Sequence, residues 1–158
     1  LDGENAIIES NLNNSIIIRT SWVYSSFGNN FVKTMLNLSK KLDTLGVIFD
    51  QLGTPTYAKD LAKTILDILP NIKNDNATIY NYSNEGSISW YDFAKAIFEI
   101  SNINININPI ETKDYPTPAK RPNYSILNKS KIKKEFDIMI PYWKDSLKEC
   151  LKIMRENK

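Results

Sequence analysis

The sequence predicts an α/β fold containing at least part of a parallel sheet. Ile16-Ile17-Ile18 is an unbroken β-branched run, the pattern of a strand covered on both faces. Strand-like and helix-like segments alternate along the chain, as in βαβ units. No internal repeat and no clear domain boundary interrupts that alternation, so residues 1–158 read as one unit.

Residues 1–12 predict a helix end with Ala6, Ile7 and Leu12 facing inward. Ser15 to Tyr24 is the first strand. After the loop Phe27-Gly28-Asn29-Asn30, an amphipathic helix is predicted over 31–42, with Phe31, Val32, Met35, Leu36 and Leu42 on one side. Gly46 is expected to end it, and Val47-Ile48-Phe49 to form a short strand. A second loop covers 50–56, where Pro55 suits a first helical position because its missing N–H costs nothing there. The helix that follows is expected to run to about Leu69 and to bury Ala58, Leu61, Ala62, Ile65 and Leu69.

Thr78 to Tyr82 is a strand and Ser83-Asn84-Glu85-Gly86 a turn. Ser89, with Asp92 three residues on, marks a helix start, since each side chain can bond the other's backbone N–H. That helix buries Trp90, Phe93, Ala94 and Ile97. Residues 103–107 alternate Ile and Asn, the period of a half-buried strand. Residues 111–125 carry Pro116, Pro118 and Pro122 with no periodicity; a loop of that length in a compact chain is usually functional or disordered. A last helix from near Pro141 buries Trp143, Leu147, Cys150, Leu151 and Met154.

Composition excludes several chemistries. With 20 basic and 18 acidic residues the net charge is +2, too small to point to nucleic acid or an anionic membrane. There is no histidine and one cysteine, so histidine triads, the usual zinc sites and an internal disulfide are ruled out. The lack of cysteine pairs fits a reducing cytosol. No apolar run reaches membrane-spanning length. The first residue is Leu and the opening residues read as the middle of a helix, which points to a piece of a longer protein.

Five landmarks in order resemble one family. They are Arg19-Thr20-Ser21-Trp22-Val23-Tyr24; Gly28-Asn29-Asn30-Phe31-Val32; Asp50-Gln51 with Gly53-Thr54-Pro55-Thr56; Glu85-Gly86 with Ser89-Trp90-Tyr91-Asp92-Phe93-Ala94; and Lys120-Arg121-Pro122 with Ser125. Together they resemble the dTDP-4-dehydrorhamnose reductases, Rossmann-like extended short-chain dehydrogenase/reductases. The resemblance implies reduction of a dTDP-4-keto sugar with NADPH or NADH, with this chain as the C-terminal, substrate-binding portion. The glycine-rich dinucleotide loop is not found here, and the family's Tyr-x-x-x-Lys pair would end just ahead of Leu1, so no catalytic residue is assigned to this chain. It is expected to be inactive alone. Tyr91 and Lys95 share the Tyr-x-x-x-Lys spacing but sit in an ordinary amphipathic helix and read as a decoy.

The resemblance puts Trp22 against the sugar and near the nicotinamide, beside Thr20 and Ser21 as cofactor-side residues; core packing is the competing role for Trp22. Asn30 is either a helix cap or a contact to the nucleotide diphosphate, and helix N-termini favour both. Arg121 is the candidate for the pyrophosphate, because a guanidinium offers two parallel donors to phosphate oxygens. Gln51 would bond the nucleotide or order its own loop. Arg19, alone in an apolar strand, reads as a paired structural residue. The expected partner is a dTDP sugar, with no nucleic acid or membrane. A homodimer stays open, since some family members dimerise around magnesium, although no carboxylate cluster here is assigned to it. Related nucleotide-sugar epimerases or dehydratases, and a non-catalytic relative such as the regulatory subunit of methionine adenosyltransferase, are the alternatives.

Overall fold

The fold follows from which strands find partners. The computed structural model describes residues 1–156. In chain order the elements are α1 (Asp2–Glu9), β1 (Ile16–Thr20), β2 (Val23–Tyr24), α2 (Phe31–Leu38), β3 (Thr44–Ile48), β4 (Leu52–Gly53), β5 (Thr56–Tyr57), α3 (Ala58–Ile68), β6 (Thr78–Tyr82), β7 (Ile88–Ser89), α4 (Trp90–Ser101), β8 (Asn106–Ile110), α5 (Ser130–Phe136) and α6 (Trp143–Glu156). Short 3₁₀ turns cover Leu69–Asn71 and Thr112–Asp114.

Among the described residues three of the four strand pairs are parallel, as the alternating pattern predicts. β1 pairs with β6 from Ile16↔Thr78 to Thr20↔Tyr82, β3 with β8 from Thr44↔Asn106 to Ile48↔Ile110, and β2 with β5. Only β4 and β7 run antiparallel. Parallel neighbours need long crossovers, and the helices supply them. α4 lies centrally, packed on α2, α6 and β3. Its start is fixed by the predicted capping box between Ser89 and Asp92.

The main core gathers Tyr24, Val32, Met35, Val47, Phe93, Ile97, Leu147 and Cys150 between β2, α2, β3, α4 and α6. A smaller cluster joins Ile68, Tyr80, Tyr82, Ile132 and Ile140. A buried polar knot links them. Fully buried Asn84 accepts from the Tyr57 N–H at 2.7 Å and donates to Asp60 at 2.7 Å and Ser146 at 2.9 Å. Lys129 donates to the Asn84 carbonyl at 2.9 Å and pairs with Glu85.

Several expectations are corrected. α1 buries nothing: Ala6, Ile7 and Leu12 are exposed. Ile16–Ile18 are half-buried rather than covered on both faces, because β1 has a strand on one side only among the described residues. The first strand is not continuous to Tyr24; it breaks at Ser21 and Trp22. α2 stops at Leu38 and Leu42 is exposed. Gly46 does not end a helix. It lies inside β3, where a Cβ would come within 3.3 Å of Ile110 on the paired strand. Pro55 sits in the turn between β4 and β5, and the helix begins at Ala58. α3 buries Thr64 and Ile68, leaving Ala62, Ile65 and Leu69 exposed. The Ile/Asn alternation does place Ile half-inward and Asn outward, but pairing begins three residues later, at Asn106. α5 was not foreseen; in α6, Trp143, Leu147, Cys150 and Leu151 are buried and Met154 only partly.

Candidate functional site

The site forms where β1 ends. After Thr20 the chain turns sharply at Trp22, whose φ of +48° is unusual for a bulky residue. The turn is held by neighbours. The Thr56 N–H donates to the Trp22 carbonyl at 3.2 Å, and the Ser21 hydroxyl to the Thr54 carbonyl at 2.8 Å. The Thr20 hydroxyl donates to that of Thr56 at 3.1 Å. The Trp22 indole stacks on Trp90 with ring centroids 3.6 Å apart and planes 15° from parallel. Phe31 backs Trp90 at 4.7 Å. Gly53 leaves the room this needs: a Cβ there would meet the Trp22 ring at 2.6 Å.

This aromatic pair forms one wall of a cavity of about 910 Å³. Met35 and Leu38 of α2 and Leu45 to Ile48 of β3 line its apolar base. The proline-rich loop brings Tyr115, Thr117 and Arg121 to its mouth. Arg121 is exposed and has no hydrogen-bond or ion-pair partner among the described residues. No lining residue is a carboxylate or a thiol. The arrangement offers an aromatic face, hydroxyls at a strand end and one unpaired cation, which suits an anionic ligand with a ring.

Five of the six predicted binding residues converge on this cavity: Thr20, Ser21, Trp22, Gln51 and Arg121 all line it. Gln51 is 6% exposed and donates through Nε2 to the Thr112 hydroxyl at 3.0 Å, so it also orders the loop. Asn30 does not line the cavity. Its Oδ1 accepts the Lys33 N–H at 3.3 Å as the cap of α2, and its amide nitrogen donates to the Ser25 and Phe27 carbonyls. Arg19 is paired with Glu4 through two hydrogen bonds. Tyr91 and Lys95 lie outside the cavity, with the ammonium 5.8 Å from the ring centroid. The helical periodicity places Trp90 in the core, whereas the structure sets it in the cavity wall. It is the first residue of α4, where no preceding helical turn covers its ring, and that position is the signal it carried. Tyr115 and Thr117 sit in an aperiodic loop, where no pattern marks an inward side chain.

Among the described residues, no cluster of three metal-ligating side chains occurs, and no helix is long and apolar enough to cross a membrane.

The family model described as the RmlD substrate binding domain matches residues 1–156. The chain belongs to that family. Curated relatives cover the same span. A dTDP-4-dehydrorhamnose reductase of Aggregatibacter actinomycetemcomitans is 45% identical over 85% of this chain and 49% of its own length. The spore coat polysaccharide biosynthesis protein SpsK of Bacillus subtilis is 41% identical over 92% of this chain and 50% of its own. Among solved structures, the dTDP-4-dehydrorhamnose reductase of Bacillus anthracis in complex with NADP superimposes with a TM-score of 0.84 at 35% identity, over 94% of this chain and 51% of that one. A dTDP-glucose 4,6-dehydratase from the same organism, at 16% identity and a TM-score of 0.69, shares the fold. The chain spans about half the length of these curated relatives.

Proposed function

We propose that this chain is the substrate-gripping half of a dTDP-4-dehydrorhamnose reductase, which reduces dTDP-4-dehydro-L-rhamnose to dTDP-L-rhamnose. One observation carries the reading. In a chain matched by the RmlD substrate-binding family throughout, a single cavity joins a stacked Trp22–Trp90 wall to an unpaired Arg121. An indole face suits the apolar side of a deoxysugar, and a guanidinium suits the diphosphate that carries it.

NADPH or NADH is the cofactor of this reading. The donor set fits only its nicotinamide end. The Thr20 and Ser21 hydroxyls donate to Thr56 and Thr54, which leaves their oxygens able to accept from a carboxamide. Thr20, Ser21 and Trp22 would border that ring, while the pyrophosphate is left to a preceding half. When bound, the nicotinamide supplies the hydride for the ketone carbon. The alkoxide that develops needs a proton. The lining residues include no carboxylic acid, histidine or cysteine, and their one phenol, Tyr115, is on the exposed proline-rich loop; the family resemblance assigns the acid instead to a Tyr-x-x-x-Lys pair ahead of Leu1. A cytosolic setting fits a buried, unpaired Cys150.

The test follows NADPH oxidation with dTDP-4-dehydro-L-rhamnose, using the full-length chain and residues 1–158 side by side. Turnover by the full-length chain alone is the expected result. A folded, cofactor-binding full-length chain without turnover refutes the substrate assignment. Turnover by residues 1–158 returns Tyr91 and Lys95 to consideration.

A further inference from the structure

The loop that carries Arg121 stands on two feet, and both rest on residues 50–52. At the first foot, the Thr112 N–H donates to both Asp50 carboxylate oxygens at 2.9 and 3.1 Å, and its hydroxyl to Oδ1 at 2.7 Å. At the second, the Leu52 N–H donates to the Asn123 carbonyl at 2.8 Å and the Ser125 N–H to the Leu52 carbonyl at 2.9 Å. The Asn123 amide adds a bond to the Asp50 carbonyl at 3.1 Å. Between the feet, residues 115–122 are exposed and lie outside any helix or strand. Within that span the Thr117 hydroxyl donates to the Ala119 carbonyl at 2.8 Å, but Arg121 itself bonds no described residue, so its place at the cavity mouth depends on the anchors. The hydrogen bond from Thr112 holds the Asp50 carboxyl below its ordinary value, so it stays ionised at neutral pH and accepts strong, charge-assisted bonds.

We propose that Asp50 is a positioning residue for Arg121: by clamping Thr112 it holds the loop closed, so that the guanidinium meets the diphosphate of a dTDP ligand without a further ordering cost. Asp50 itself is outside the cavity lining, and acts through the loop. Releasing one foot lengthens the free segment and multiplies its conformations, and binding must then restore the order. The neighbouring Gln51, which lines the cavity and bonds the same Thr112, makes this foot part of the cavity wall.

The inference rests on the reading of Arg121 as the diphosphate contact, and the experiment separates the two. In the full-length protein, dTDP affinity is measured by calorimetry for Asp50→Ala, Thr112→Val, Arg121→Ala and the double variant Asp50→Ala/Arg121→Ala. Asp50→Ala and Arg121→Ala are each expected to weaken dTDP about ten-fold, the loss of one charge-assisted contact. The double variant is expected to be no worse than Arg121→Ala, since both changes remove one interaction. Asp50→Asn, which keeps one acceptor, should lose less. Without ligand, trypsin should cut after Lys113 and Lys120 faster in Asp50→Ala and in Thr112→Val than in the wild type. Unchanged dTDP affinity in Arg121→Ala overturns the diphosphate reading and the proposal with it. A weakened Arg121→Ala with an unchanged Asp50→Ala, or losses that add in full, overturns the proposal alone.

Discussion

Asn84 has no exposed surface, and both polar atoms of its amide are engaged. Asn84→Leu leaves the Tyr57 N–H and the Asp60 and Ser146 side chains short of partners inside the protein. A loss of about 2–4 kcal/mol is expected, since each stranded buried group costs its desolvation; urea unfolding of the full-length protein measures it. Gly53→Ala drives a Cβ into the Trp22 ring and is expected to cost about 1–3 kcal/mol by overpacking, with weakened dTDP binding alongside; calorimetry reads the second effect. Glu85 sets an acid limit. Burial pushes its carboxyl up, but the hydrogen bond from Lys133 and the charge and hydrogen bond of Lys129 together outweigh that and hold it below its ordinary 4.5. A group with a depressed folded pKa contributes stability above its unfolded value and loses it as pH falls through the folded one. Stability should therefore fall below the ordinary carboxylate range, less steeply in Glu85→Gln, as melting temperatures across an acid series would show. Trp22, Gln51 and Arg121 were marked by the family resemblance, and the fold brings all three to one cavity. The amide of Asn84 was not marked, because a turn asparagine looks the same whether exposed or buried.

At the scale of elements, local chemistry was legible and tertiary choice was not. Ser89 and Asp92 announce the start of α4 because the box is contained in four residues. Ser89→Ala should cost about 1 kcal/mol, measurable by thermal denaturation, with the Asp92 N–H left without its cap. α3 shows the limit. Ile68 and Thr64 are buried with Leu61 half-buried beside them, while Ile65 and Leu69, further round the helix, are left exposed, a choice made by the packing partners. Gly46 reads as a helix stop in isolation. Its reason is the close approach of Ile110, more than sixty residues away, which no local window contains. The same holds for the loop feet: Asp50 and Thr112 meet through a pairing of β3 with β8 that only the folded chain reveals.

For the whole molecule, the open side of β1 matters most. The strand pairs with β6 alone among the described residues, its isoleucines are half-covered, and α1 beside it exposes Ile7 and Ile8. An unpaired strand edge next to apolar surface seeks company. Residues 1–158 alone are expected to self-associate with rising concentration in sedimentation runs, and to melt below the full-length chain. A monomer as heat-resistant as the full-length protein would contradict this. The parallel class was legible because alternation of strand and helix is a long-range pattern. The half-covered state of β1 was not, because three isoleucines in a row promise two covered faces whether or not this chain supplies both covers.

The protein has three tryptophans, and two of them are in face-to-face contact at the wall of the cavity. Transition dipoles that close couple strongly, so the pair should give a split circular-dichroism band near the indole absorption. The third tryptophan, Trp143, is apart from that stack, against Phe93 and Tyr142. The site therefore carries its own optical reporter, which would change sign or vanish when a ligand parts the rings and persist when it binds without disturbing them.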